Sequence, residues 1–432
     1  MKRSISLVRA YTQVKAIAQL DSMAIAYYNI WRTIDFASPI NLKTMKLEKT
    51  SLLQSIGFCL LAICLYLTQI FPTLAAEMPK EINSNPYETE FEINTSGSSY
   101  FMDKHAWTLF AKVNQKAPTQ CPGTNNSIWE TWTDNAETFL REQPTWPETC
   151  GSAEAPRRKI LRERSINLFL EAADKQIIPG TELINSSEER VEEVRRNRAT
   201  FDYIVNNKLW NREGLIEAYA SDEKIEFPTD AMEVKADWVP ISESEKDKYH
   251  WNYTKDGTLV GMRAMHVITK ELPNWFWASF EWVDNLGRCD DIGCVDNFGV
   301  TPHVVRPNDT RDLKYASEEL TPELEQLFAA NGLTGEWGEQ FKNYRLKGTQ
   351  ISFVDVTGKP TLLGNSITEQ NTVFGSSCIT CHAQARIGRS GRTTQVLTVV
   401  GSPQPELFEE FKSTGFVWSI PLCVNYPWAC KS

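Results

Sequence analysis

The chain has 432 residues, enough for one large domain or two medium ones, and its 45 Lys and Arg against 55 Asp and Glu give a formal net charge of −10. That acidity argues against general nucleic-acid binding, which needs a positive face. Hydrophobic residues at 41% and charged residues at 23% are ordinary for a globular protein, but 14 Trp can build a rigid interior or line a large flat ligand.

The first element in chain order is an export signal. Met45-Lys-Leu-Glu-Lys49 is a short basic segment, and no charge follows between Thr50 and Ala76. The apolar run "IGFCLLAICLYLTQIF" ends at Pro72, and Thr73 and Ala75 offer small residues, so cleavage is expected after Ala75. Residues 1–44 then read as an upstream extension, with the true start at Met45. If residues 45–75 stay uncleaved they are long enough to anchor the chain in a bilayer. Removing residues 1–75 takes 8 Lys and Arg and 3 Asp and Glu from the totals of 45 and 55, leaving 37 against 52 and a net charge of −15.

Residues 76–100 are polar and poor in apolar side chains, which predicts a flexible linker before a single large domain over 101–432. Within that domain "WETWTDNAETFL" (129–140) has the spacing of a buried amphipathic helix. "APRRKILRERSINLFLEAADKQ" (155–176) and "SSEERVEEVRRNRATFDYIVNNKLW" (186–210) also read as helices, the second capped at Ser187, with the Arg/Glu run between them forming a solvated face. "GTLVGMRAMHVIT" (257–269), "NWFWASFEWV" (274–283) and "GTQISFVDVTG" (348–358) alternate as strands do. "TPELEQLFAANGL" (321–333) is a helix ended near Gly332. The mixture predicts an α+β fold with helices flanking an antiparallel sheet. No repeat and no glycine-rich phosphate loop stands out.

Near the end, "SSCITCHAQARIG" (376–388) carries Cys378, Cys381 and His382 in the order C-x-x-C-H, the attachment signature of c-type haem. The spacing suits the chemistry, since two thiols add across the two vinyl groups on one porphyrin edge and the adjacent histidine becomes the proximal iron ligand. A zinc site would want a second Cys/His pair at short spacing. A thioredoxin-like dithiol would follow the first strand of a βαβ unit, whereas this pair lies about 50 residues from the C-terminus. One covalent haem c is the expectation. Apart from this pair, the exported chain has six cysteines, and sequence proximity pairs them as 121–150, 289–294 and 423–430 in an oxidising compartment, the alternative being buried free thiols.

No methionine follows His382, so any distal ligand must come from upstream, and the segment is not of the small all-helical cytochrome c type. His266 is the leading candidate, placed in a strand-like run with Met262 and Ala264 on one face and Met265 and Val267 on the other. Met262, Met265 and His303 are alternatives, as is an open iron site. A lone histidine in such a run can equally be a hydrogen-bonded core residue.

"NYRLKGTQISFVDVTGKPTLLGNSITEQ", "SSCITCHAQA" and "GFVWSIPLC", with "AWTLFAKVN" and "GMRAMHVITKELPNWFWASFEWVDN" upstream, resemble a group of bacterial exported cytochrome c family proteins with one C-terminal haem. The resemblance covers nearly the whole exported chain and implies haem binding and a periplasmic or otherwise exported location. Members commonly read W-A-T-F-E-H where this chain has "WASFEW", so Trp282 replaces a histidine that could have served as a distal ligand or its hydrogen-bond donor.

Two functional classes follow. An electron-transfer cytochrome fits one haem, no catalytic constellation and a basic segment, with 7 Lys and Arg against 2 Asp and Glu between Phe341 and Val400. Arg386, Arg389 and Arg392 would neutralise haem propionates or steer a redox partner protein. A haem enzyme, or a gas or redox sensor with an open distal side, is the alternative, favoured by the long Trp-rich portion ahead of the motif.

Overall fold

The computed structural model describes residues 100–118, 125–139, 142–147, 191–254, 257–290, 292–305, 318–369, 375–394, 396, 400–427 and 430. The chain divides into Met1–Asn83, which lies outside these residues, and Ser84–Ser432, which holds everything below. The export signal, the linker short of Tyr100, the helix expected over 155–176 and the 121–150 pairing all fall outside the described residues.

A seven-stranded antiparallel sheet organises the molecule. Its strands are β1 (Thr133–Asp134), β2 (Val191–Arg196), β3 (Met232–Pro240), β4 (Trp251–Tyr253), β5 (Leu259–Thr269), β6 (Phe276–Trp282) and β7 (Tyr344–Gln350). They lie in the order β1-β2-β3-β5-β6-β7, with β4 also paired to β5. The fold is α+β, and β5 and β6 sit where alternation places them. Register puts Ile268 opposite Trp277, His266 opposite Ser279 and Ala264 opposite Glu281. Since paired residues share a face, the sheet has two faces of opposite character.

One face is apolar. Val234, Ala236, Met265, Val267, Phe276, Ala278, Phe280 and Leu346 pack against α1 (Tyr100–Val113) and, beyond it, Phe328. Trp107 and Phe110 set their rings 5.0 and 4.6 Å from Phe280. Below this core the Asp296 carboxylate accepts from the Trp107 indole at 2.8 Å and from the Gly299 and Phe298 amides. Burial pushes this carboxyl up to about 6 against the pull of those donors. A raised carboxyl favours folding only while it is protonated, so its stabilising contribution falls as pH rises from about 4 to about 6. The full span is about 3 kcal/mol at about 1.4 kcal/mol per pKa unit. Denaturant titrations should show this loss for the wild type relative to Asp296→Asn, and parallel profiles would remove the argument.

The other face is polar, carrying Arg196, Glu233, Lys235, Asp237, His266, Ser279 and Glu281. It is covered by α2 (Arg198–Asn206), α3 (Arg212–Ala220) and the C-terminal third, through a second core of Ile204, Leu215, Ile268, Trp277, Leu363, Ile379, Val417 and Ile420.

Three sequence readings need correction. Residues 191–196 form β2, not a helix, and α2 starts only at Arg198, capped by Asn197 rather than Ser187. "VEEVRR" has the charge pattern of a solvated helical face, yet Glu193, Arg195 and Arg196 are buried. Arg195 pairs with Glu193, while Arg196 binds Glu233, the Asp134 carbonyl and Ser419, so tertiary pairing overrides local propensity. Residues 129–140 break into a 3-10 turn (Trp129–Thr131), β1 and a four-residue helix whose cap is Asp134. β7 ends at Gln350, because the Asp355 carboxylate accepts from the Thr357 and Lys359 amides and turns the chain. The helix α4 (Pro322–Ala330) matches its expectation, with Thr321 as cap and Gly332 at φ 78° beyond its end. The disulfides Cys289–Cys294 and Cys423–Cys430 are present, and Cys378 and Cys381 are free.

Candidate functional site

Cys378, Cys381 and His382 all lie on α5 (Cys378–Ala383), whose first turn is capped by Ser377. Ile379 and Thr380 point into the core, and the two thiols and the imidazole share the opposite, half-buried flank, as residues at i, i+3 and i+4 must. Four ties fix the helix. Gln350, at the end of β7, donates to the Ser377 hydroxyl at 2.8 Å and accepts from the Ile379 amide at 3.0 Å. Thr380 donates to the Gly401 carbonyl at 2.7 Å, and the Trp418 indole donates to the Cys381 carbonyl at 3.0 Å.

The His382 ring is oriented by a backbone group. Nδ1 lies 2.7 Å from the Phe416 carbonyl oxygen, so Nδ1 carries the hydrogen and donates it. Nε2 is then the nitrogen with the lone pair. The carbonyl is aimed by Gly415 and Phe416 at φ 66° and 71°, a left-handed conformation unusual for phenylalanine and of the kind found where geometry serves a site. Trp277 from β6 sets its ring 4.6 Å from the imidazole. Burial pushes His382 down to about 4, so the ring is neutral. Burial also raises both thiols, Cys381 to about 11 and Cys378 well above the usual thiol range. A reactive dithiol or a zinc thiolate calls for the reverse shift. Among the described residues no group of three or more His, Cys, Asp and Glu converges as a metal cluster.

The polar face of the sheet meets this flank. His266 on β5 is only 9% exposed and close enough to His382 to interact with it electrostatically, as do Lys235 and Glu369. Its Nε2 lies 3.5 Å from Glu369 Oε1 and makes no hydrogen bond of ordinary geometry. The other candidates lie elsewhere. Met262 and Met265 are both in the apolar core on the far face; the bulge between Asp237 and Trp238, opposite Ala264 and Met262, turns Met262 away from His266. The expectation that Met262 shares a face with His266 is therefore corrected. Trp282 is also on the apolar face, its ring tilted against Tyr249 at 4.4 Å, so a histidine there would not have faced α5. His303 is exposed beside the Asp296 carbonyl.

The basic segment is not one patch. Arg345 and Lys347 are buried, Arg345 against Glu318 and Lys347 on the Arg288 carbonyl. Arg386 lies 4.8 Å over the Phe408 ring, which leaves Arg389 and Arg392 exposed near α5.

These residues fit a covalent haem. Two protonated thiols one turn apart and a neutral imidazole with Nε2 open are what C-x-x-C-H attachment requires, and His266 offers a second buried imidazole nearby. Sequence reading missed Gln350, Phe416, Trp277 and Glu369. Only the Ser377 cap had a local signal, a serine directly before the motif. No family model, curated protein or solved structure matches the chain.

Proposed function

We propose that this chain is an exported monohaem c-type cytochrome that transfers electrons to or from a partner protein. The observation that carries the reading is the His382 hydrogen bond to the Phe416 carbonyl, which leaves Nε2 as the donor nitrogen beside two free thiols on one helix flank. Cys378 and Cys381 would hold the haem through two thioether links, each made by addition of a thiol to a vinyl group with no net oxidation. His382 would ligate the iron on one side and His266 on the other. When bound, the haem supplies a one-electron Fe(III)/Fe(II) couple. Trp277 and the second core cover one side of the site, which reduces its contact with water.

The C-x-x-C-H spacing supports this reading, and the two disulfides accord with an oxidising compartment. No helix among the described residues is long and apolar enough to cross a membrane. Arg389 and Arg392 supply positive charge for steering an acidic redox partner.

One observation favours the haem enzyme or sensor instead. His266 paired with Glu369 is also the arrangement of a distal acid–base histidine held by a carboxylate. Absorption spectra with and without carbon monoxide separate the two. The carrier should be low-spin in both oxidation states and bind carbon monoxide poorly. A high-spin wild type that binds it readily would move the enzyme or sensor ahead.

A further inference from the structure

The turn from Asn365 to Glu369 crosses the polar face of the sheet and is anchored there residue by residue. The Asn365 amide group donates to Ser279 Oγ and the Phe280 carbonyl at 3.2 Å. The Ser366 amide donates to Glu281 at 2.9 Å, and the Thr368 hydroxyl to Asp237 at 2.6 Å. The turn closes with the Glu369 amide on the Asn365 carbonyl at 3.0 Å. So fixed, it sets the Glu369 carboxylate 3.5 Å from His266 Nε2, both side chains largely buried. Lys235, paired across β3 and β5 with His266 and bound to Glu192 at 3.1 Å, lies on the same face and adds its charge to Glu369. His266 Nε2 has no partner of ordinary hydrogen-bond geometry, and the Glu369 carboxylate is the acceptor that lies beside it, at 3.5 Å.

We propose that Glu369 is a positioning residue for His266, its carboxylate taking the Nε2 hydrogen so that Nδ1 keeps the lone pair and becomes the nitrogen offered to iron. The inference rests on the haem reading and deepens it. A carboxylate behind a ligating imidazole fixes the tautomer and ring orientation and raises donor strength, and loss of such a partner changes metal-site properties by about 10- to 100-fold. A stronger donor favours Fe(III), so Glu369 holds the reduction potential down. Lys235, held on the same face by Glu192, limits the effect.

The test is the reduction potential and low-spin EPR signal of the haem-loaded full chain, compared among wild type, Glu369→Gln and Glu192→Gln. Glu369→Gln keeps the size and an acceptor oxygen for the Asn365 amide but removes the charge. Its potential should rise by about tenfold in the Fe(III)/Fe(II) equilibrium, about 59 mV, with a changed low-spin signal and the haem still covalently bound. Glu192→Gln removes equal charge from the same face without touching His266 and should shift the potential much less. Equal shifts in the two variants, or an unmoved Glu369→Gln, would overturn the positioning role while leaving the haem reading intact. A wild-type chain without covalent haem would overturn both. A second measurement needs no Glu369 variant. NMR of the reduced wild type should show an exchange-protected His266 Nε2 hydrogen that disappears in His266→Ala, and a freely exchanging one contradicts the proposal.

Discussion

Changing His266 to alanine should convert the haem-loaded protein from a low-spin iron that resists carbon monoxide to a high-spin iron that binds it, with the haem still attached through Cys378 and Cys381. The expectation follows from placement. His266 is the buried histidine on the sheet face that meets α5, whereas Met262 and Met265 are locked in the core on the opposite face and His303 is exposed. Truncation opens a space between β5 and the Asn365–Glu369 turn and leaves the Glu369 carboxylate facing it, at a cost of about 1–3 kcal/mol. Because a domain carries about 5–15 kcal/mol of stability, the variant should still fold. Added imidazole should enter the space and restore the low-spin spectrum. An unchanged spectrum in His266→Ala would show that His266 is a core residue held by Glu369 and that iron has another partner or none.

The second large effect is on haem retention. Replacing both Cys378 and Cys381 with alanine should leave haem extractable by acidified organic solvent, while either single replacement keeps one thioether. The α5 scaffold predicts that the double variant still folds. Its cap, its Gln350 clamp and the Trp418 and Thr380 hydrogen bonds are all made by groups other than the thiols. With His382 still tied to Phe416, the pocket should bind haem reversibly, so the variant separates attachment from ligation. Haem that resists extraction from the double variant would mean that the link is made elsewhere.

What the sequence disclosed depended on whether the signal was local. β5, β6 and α4 were legible because period-two alternation, Thr321 as cap and Gly332 as terminator act within a few residues. β2 was not, since Glu193, Arg195 and Arg196 look like solvent-facing charges until β3 and the C-terminal Ser419 supply their partners. A single bulge in the β3–β5 ladder changed the face of Met262, which alternation alone cannot foresee. At the site, covalent chemistry demands fixed spacing, so Cys378, Cys381 and His382 announce themselves. The groups that orient them come from far along the chain. Gln350 lies 29 residues from the Ile379 amide it accepts, and the Phe416 carbonyl lies 34 residues from His382. Their roles depend on backbone direction and sheet register, neither of which leaves a mark in residue type.

Covalent haem is the claim on which the rest depends, and the intact mass of the full chain, produced with a cytochrome c maturation system and stripped with acidified solvent, tests it most directly. A single species heavier than the processed polypeptide by one haem is expected, with the added mass mapping to the peptide that contains Cys378 and Cys381. A bare polypeptide mass, with both thiols recovered free, would contradict it.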